Sequence, residues 1–339
     1  MFHFAGGSTE GTIPHPSNTQ ISKVQFSPDD SGQLLAVSSW EGTVRIYHFP
    51  AGPVTALEKR VYTHAKPVLA CTFFTKNDVA SGGLDSVIKT YNMETGIECV
   101  LGHHDAPVRC LEYCKEHSLV VSGGWDSAVM LWDARSKSSA GFGNNGDKVY
   151  AMDTLVNRIL IGTKDRKIII WDVRNLGEPE QIRDSPLKFQ TRAVKCFPTG
   201  EAFVVASIEG RVAVEYFDMS PEVQRNKYAF KCHREKDESG GMLQFVDMDK
   251  IFVSVSQKWS SLSSLMTLMW KINENILNFA RNAIFRFGCT CIMSVSFNAT
   301  GTQLAIAASY MNELKERPNP EPESTVVVRK ITDVEARPK

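Results

Sequence analysis

Five short acidic turns recur along the chain: Trp40-Glu41-Gly42, Leu84-Asp85-Ser86, Trp125-Asp126-Ser127, Lys164-Asp165-Arg166 and Ile208-Glu209-Gly210. Their acids stand 44, 41, 39 and 44 residues apart. A unit of that length that cannot bury its own apolar face must stack on copies of itself. Each turn follows an apolar run such as LLAVSS (34–39) or LVVSGG (119–124), and precedes an alternating one such as TVRIY (43–47), SVIKTY (86–91) or KIIIW (167–171). Period-two alternation bounded by Gly, Ser and Asp predicts strands joined by tight hairpins.

Six residues after the acid stands an aromatic, Tyr47, Tyr91, Trp132 or Trp171, and the last two open a literal Trp-Asp pair. A His precedes the next strand, as in His64-Ala65-Lys66-Pro67-Val68 and His104-Asp105-Ala106-Pro107-Val108. His104, Ser122, Asp126 and Trp132 therefore have the spacing of one hydrogen-bonded chain across a sheet. A Ser-His-Asp hydrolytic triad is the competing reading. Because much of the set recurs as His64, Ser81, Asp85 and Tyr91, a structural network is the better one.

These residues resemble the WD-repeat β-propeller family, whose blades of about 40 to 45 residues carry Gly-His and Trp-Asp signatures. Inner strands are expected to open near Ile21, Val68, Val108, Val149, Val194, Met242 and Met293, giving an all-β, seven-bladed propeller. The whole chain, 1–339, is then one domain, with blades over roughly 18–335, rather than the two that length alone suggests. The sixth blade, over 237–290, lacks the usual acidic turn and reads as degenerate, whether by divergence or by mis-assembly of the sequence. NELKERPNPEP reads as an exposed loop over 312–323, and STVVVRKITD (324–333) returns as a strand that closes the last blade with the N-terminal segment.

Composition excludes several functions. With 38 basic and 38 acidic side chains, the chain lacks the cationic excess that phosphate-backbone binding needs, so no direct nucleic acid is expected. No apolar run reaches the roughly 18 residues of a membrane span, and MFHFAGGSTE has neither the basic start nor the apolar run of a signal peptide. No membrane partner is expected, and the localisation read from this is nuclear or cytoplasmic. Eight cysteines lie scattered among apolar positions; Cys110/Cys114 and Cys289/Cys291 read as core fillers rather than redox or metal pairs. No metal and no cofactor are expected.

Three departures from the generic repeat point to a binding surface. Trp40 and Trp125 stand on the rim formed by the acidic turns, where they either anchor a partner or lie over a neighbouring blade. A basic cluster, Lys188, Arg192, Lys195, Arg211, Arg225, Lys227, Lys231 and Arg234, surrounds the fifth repeat; it is either an anion site or a mixed solvated surface. Glu215 takes the place of the blade aromatic and needs a cation, for which Arg192 or Arg211 is expected.

The strings SGGLDS (81–86), HDAPVRCLEYC (104–114), SPLKFQTR (185–192), SIEGRVAVEY (207–216) and SPEVQRNKYAFKCHR (220–234) closely resemble the mitotic-checkpoint WD-repeat family called "budding uninhibited by benzimidazole three". The RNA-export WD-repeat family of the nuclear pore is similar over SIEGRVA and FKCHR and less so elsewhere. The resemblance implies a spindle-checkpoint adaptor without catalysis, in the nucleus and at mitotic kinetochores. Its implied partners are Bub-type checkpoint kinases, through an acidic GLEBS segment, and a kinetochore scaffold, through a phosphorylated MELT-type repeat. A ubiquitin-ligase checkpoint complex is a further implied partner. By motif match, Trp40, Trp125 and Arg192 fall on the GLEBS surface, and Arg211 and Lys231 beside the phosphothreonine. The alternative is an mRNA-export adaptor that holds a nucleoporin GLEBS segment.

Overall fold

The computed structural model describes residues 10–14, 19–29, 34–49, 56–136, 138–231, 291–309 and 324–330. Twenty-four strands and one helical turn form six four-stranded antiparallel sheets among these residues. Strand β1 (Glu10–Pro14) is followed by the sheet β2 (Ile21–Phe26), β3 (Leu34–Ser39), β4 (Thr43–His48), β5 (Leu57–Thr63). The next is β6 (Val68–Phe73), β7 (Asp78–Gly83), β8 (Val87–Asn92), β9 (Glu98–His103), and then β10 (Val108–Cys114), β11 (Leu119–Gly124), β12 (Ala128–Asp133), β13 (Ser138–Asn144). The fourth is β14 (Val149–Leu155), β15 (Arg158–Thr163), β16 (Lys167–Asp172), β17 (Gln181–Asp184). In the fifth, β18 (Thr191–Cys196), β19 (Ala202–Ser207) and β20 (Arg211–Tyr216) lead through the helical turn α1 (Pro221–Gln224) to β21 (Tyr228–Lys231). The last sheet runs β1, β24 (Thr325–Lys330), β23 (Gln303–Ser309), β22 (Cys291–Phe297), so the N-terminal strand completes it.

The inner strands open where the sequence places them at Ile21, Val68, Val108 and Val149. The fifth begins three residues before Val194, at Thr191, and the last two before Met293, at Cys291. The expected sixth blade, with its start at Met242, and the loop expected at 312–323 lie outside the described residues.

Burial follows strand order. The second strand of each sheet is covered on both faces: all six residues of β3 and of β19 are buried. The fourth strand is solvated in the first five sheets, with five consecutive exposed residues at the start of β5, whereas in the last sheet Gly11 and Ile13 of β1 are buried. The chain divides into two compact units: Met1–Asp85 with Lys89–Cys99 and Ser256–Lys339, and Ser86–Ile88 with Val100–Val255. In the first unit, Ile21, Val24, Leu35 and Val37 pack with Ala305, Ala307, Val326 and Val328. Trp171, Ile159, Ile161 and Met152 form a core in the second, and Leu160, Ile170, Phe203 and Val205 another.

Candidate functional site

The acidic turns all have one construction. The residue after the acid adopts positive φ in every case: Gly42 (88°), Ser86 (64°), Ser127 (63°), Arg166 (65°) and Gly210 (71°). Three of these are not glycine, so local bonding must hold a conformation that L-residues disfavour. Asp126 supplies it in the third sheet, accepting hydrogen bonds from Asp105 N (3.0 Å) and Ala128 N (3.1 Å). The residue before the acid is tied to the inner strand's approach: Trp40 N to Gln20 O (2.9 Å), Leu84 N to Pro67 O (2.8 Å), Trp125 N to Pro107 O (2.9 Å), Lys164 N to Lys148 O (2.9 Å) and Ile208 N to Gln190 O (3.0 Å). Each turn therefore fixes one chosen side chain on the rim.

Beneath that rim lies the network read from the sequence. His104 Nδ1 is 2.9 Å from Asp126 Oδ2, its Nε2 is 2.7 Å from Ser122 Oγ, and Trp132 Nε1 donates to Ser122 Oγ at 2.7 Å. Burial outweighs Asp126 and lowers the His104 pKa, so the ring stays neutral. In the second sheet His64 bridges Asp85 and Ser81 in the same way, at 2.8 Å each. Here the expected fourth member is corrected. Tyr62, from β5, donates to Ser81 Oγ at 2.9 Å, while Tyr91 stacks on Tyr62 with centroids 4.7 Å apart. A six-membered ring is shorter than an indole, and the phenol from the preceding sheet reaches the hydroxyl instead. In the fourth sheet Asn145 replaces His and accepts from Trp171 Nε1 at 2.8 Å. A set that varies this way while keeping its place is a fastener, and its serines are fully buried. Sequence reading missed Gly102: a Cβ there would stand 2.2 Å from the Trp132 ring. The signal was the Gly two residues before His104.

The rim residues differ by unit. In the first, Trp40 is 43% exposed at its turn. In the second, Trp125 is half-buried, the Lys148 ammonium lies 5.6 Å from its ring centroid, and its Nε1 is buried without a hydrogen-bond partner. Arg192 sits in β18 beside the exposed Phe189 and Ile208.

The fifth sheet brings four polar residues into one cross-strand row: Thr191 faces Ser207, Ser207 faces Arg211, and Arg211 faces Lys231. The Thr191 and Ser207 hydroxyls are buried without partners, and Arg211 Nε has only Glu209 Oε1 at 3.6 Å. Two cations directly opposite on neighbouring strands repel each other, a cost that an anion between them removes.

The basic cluster does not hold together as one site. Lys195 is drawn off by Asp153 of β14, which it contacts directly, while Cys196 N donates to the other carboxylate oxygen at 2.7 Å. Burial opposes the Lys195 charge, but Asp153 and Glu112 outweigh it and raise its pKa. Arg225 and Lys227 lie in the β20–β21 connection, at the sheet end remote from the acidic turns, and Arg234 is outside the described residues. The partner expected for Glu215 is also corrected: it is neither Arg192 nor Arg211. Arg183 of β17 lies 3.8 Å away, held by Tyr216 O (2.7 Å) and Phe217 O (2.8 Å) and packed over Phe203. A carboxylate replaces the aromatic here because a guanidinium from the adjacent sheet reaches it.

Among the described residues no group of His, Cys, Asp and Glu could hold a metal, and no helix is long and apolar enough to cross a membrane.

The sheets, turns and fasteners define a WD-repeat protein, and the model of the WD domain, G-beta repeat, matches residues 7–48 and 97–133. The chain is 48% identical over 340 residues to the mitotic checkpoint protein bub-3 of Caenorhabditis elegans, covering 97% of this chain and 96% of that one. It is 34% identical to mitotic checkpoint protein BUB3.1 of Arabidopsis thaliana, covering 96% and 94%. A Schizosaccharomyces pombe poly(A)+ RNA export protein is 31% identical, over 88% of this chain and 83% of that one. The chain belongs to the bub3 family of mitotic checkpoint WD-repeat proteins.

Proposed function

We propose that the protein is a non-catalytic adaptor of the spindle assembly checkpoint. On this reading it holds an acidic GLEBS-type segment of a Bub-type checkpoint kinase and a phosphorylated MELT-type repeat of a kinetochore scaffold. The observation that carries it is the opposed pair Arg211 and Lys231 at the turn end of the fifth sheet. A phosphothreonine brings about −1.5 to −2 charges and three acceptors to such a pair, and an unmodified threonine brings none. Arg192 and Trp125, on the rim of the same unit, are assigned to the acidic segment, with Trp40 as a further contact on its own turn. A catalytic role for the His-Ser-Asp sets is disfavoured because they are buried and repeated. The proposal keeps the sixth blade read between 237 and 290, outside the described residues, the nuclear and kinetochore location, and a ubiquitin-ligase checkpoint complex as a more distant partner.

The test is binding of paired peptides, phosphorylated and not, to wild type and to Arg211→Glu and Lys231→Glu. The expected result is a preference for the phosphorylated peptide in wild type that either reversal removes; an unchanged preference sinks the phosphate assignment. Trp125→Ala should weaken the kinase segment without loss of folding. The export relatives give the second reading its standing. Capture of a nucleoporin GLEBS segment in preference to the kinase segment, with no phosphopeptide discrimination, would favour it.

A further inference from the structure

The inner strand of every described sheet has the same irregularity near its start: pairing steps over one residue. The residues passed over are Ser22, Leu69, Arg109, Tyr150, Arg192 and Met293. Bulges of this kind re-aim a side chain and recur beside binding sites. In the five sheets with an acidic turn each lies at the turn end, one residue from the pair that closes the ladder, as with Val108 and Gly124, Val149 and Thr163, Thr191 and Ser207; in the last sheet Met293 is two residues from the closing pair Cys291 and Ser309.

Four of the six have packing or partners within the protein, Arg192 among them. Leu69 and Met293 are buried, Met293 within the apolar core of its unit, and Ser22 bonds Ser38 at 2.8 Å. Arg109 and Tyr150 differ. Both are half-buried, and among the described residues neither the Arg109 guanidinium nor the Tyr150 hydroxyl has a hydrogen-bond or ion-pair partner. Their strands are neighbours, with β10 packed on β14 and β14 on β18. Arg109, Tyr150 and Arg192 are thus equivalent residues on three successive inner strands of one unit. Arg109 stands at the same sheet end as Trp125, which is tied to Pro107 two residues before it. Arg192 stands likewise beside Ile208, tied to Gln190.

Resting on the adaptor reading above, we infer that Arg109, Tyr150 and Arg192 form one arc that takes two separate carboxylates of the acidic segment. Arg109 receives a second acid, distinct from the one that Arg192 receives, and the Tyr150 hydroxyl donates to the chain between them. Two guanidinium forks set two strands apart select a segment by the spacing of its acids, where a single arginine would accept any acidic stretch. Trp125, with its cation-capped ring, packs against the apolar residue flanking the acid at Arg109.

The probe is a synthetic GLEBS-type kinase segment together with a set of single Glu→Gln and Asp→Asn variants. Their binding to wild type, Arg109→Glu, Arg192→Glu and Tyr150→Phe is measured by calorimetry. Each charge reversal is expected to weaken the parent segment by about tenfold or more, and in Arg109→Glu thermal unfolding is unchanged because Arg109 makes no bond within the fold. Each reversal should also abolish the effect of one segment substitution, a different one for each arginine. Binding to Arg109→Glu within twofold of wild type, alongside a weakened Arg192→Glu, overturns the inference and leaves the adaptor reading standing. The same acid coupling to both arginines also overturns it. A segment that wild type does not bind removes the adaptor reading and this inference with it.

Discussion

At Ser122 a single hydroxyl holds two rings: it faces His104 Nε2 and accepts from Trp132 Nε1, both at 2.7 Å. Ser122→Ala would leave two buried groups without a partner, and its expected cost is about 1–3 kcal/mol in urea denaturation. Gly102→Ala should destabilise as well, since the methyl would meet the Trp132 ring. Burial lowers the pKa of both His64 and His104 below the ordinary 6.5, against the pull of Asp85 and Asp126. Between that ordinary value and the lowered native one, the unfolded chain binds more protons than the folded one. Stability therefore falls as pH drops below about 6.5, and the loss levels off once the native rings protonate. Unfolding free energy measured from pH 7.5 to 5 should show a steeper decline in wild type than in His104→Gln. Equal slopes would mean that these rings do not titrate with unfolding.

Elements are joined by contacts that pattern reading does not reveal. The acid period, the alternation of β4, β8 and β16 and the tetrad of the third sheet were all legible, because each depends on spacing within one repeat. The partners of Lys195 and Glu215 were not. Asp153 and Arg183 belong to the preceding repeat, and only the packing of β14 on β18 and the hydrogen bonds of Arg183 to Tyr216 O and Phe217 O bring them within reach. Tyr62 escaped notice for a related reason, since it comes from the fourth strand before its histidine rather than the third strand after it. Lys195→Met should strand Asp153, which is almost fully buried, and cost about 2–3 kcal/mol. That is less than a fully buried pair would lose, since a third of the lysine side chain meets solvent. The double variant Lys195→Met, Asp153→Leu should recover much of the loss; no recovery would show that the ion pair is not what Lys195 contributes.

For the molecule as a whole, the two chain ends meet in one sheet, where β1 covers the edge of β24 over five pairs from Glu10–Arg329 to Pro14–Thr325. Removing residues 1–14 would expose that edge, and a lower melting temperature with increased self-association is expected by light scattering. The return of the 324–333 segment was readable from its Val run, and the family from its motifs. The inner-strand bulges were not readable, because a skipped residue leaves the alternation of a six-residue strand nearly intact. The central claim is that partners bind at the acidic-turn ends of the sheets. Amide hydrogen exchange of the protein with and without a bound kinase segment tests it most directly. Added protection should fall on residues 108–109, 125–127, 148–150 and 190–192, with the hairpin ends at 156–157 and 199–200 unchanged. Protection confined to those hairpin ends would contradict the account.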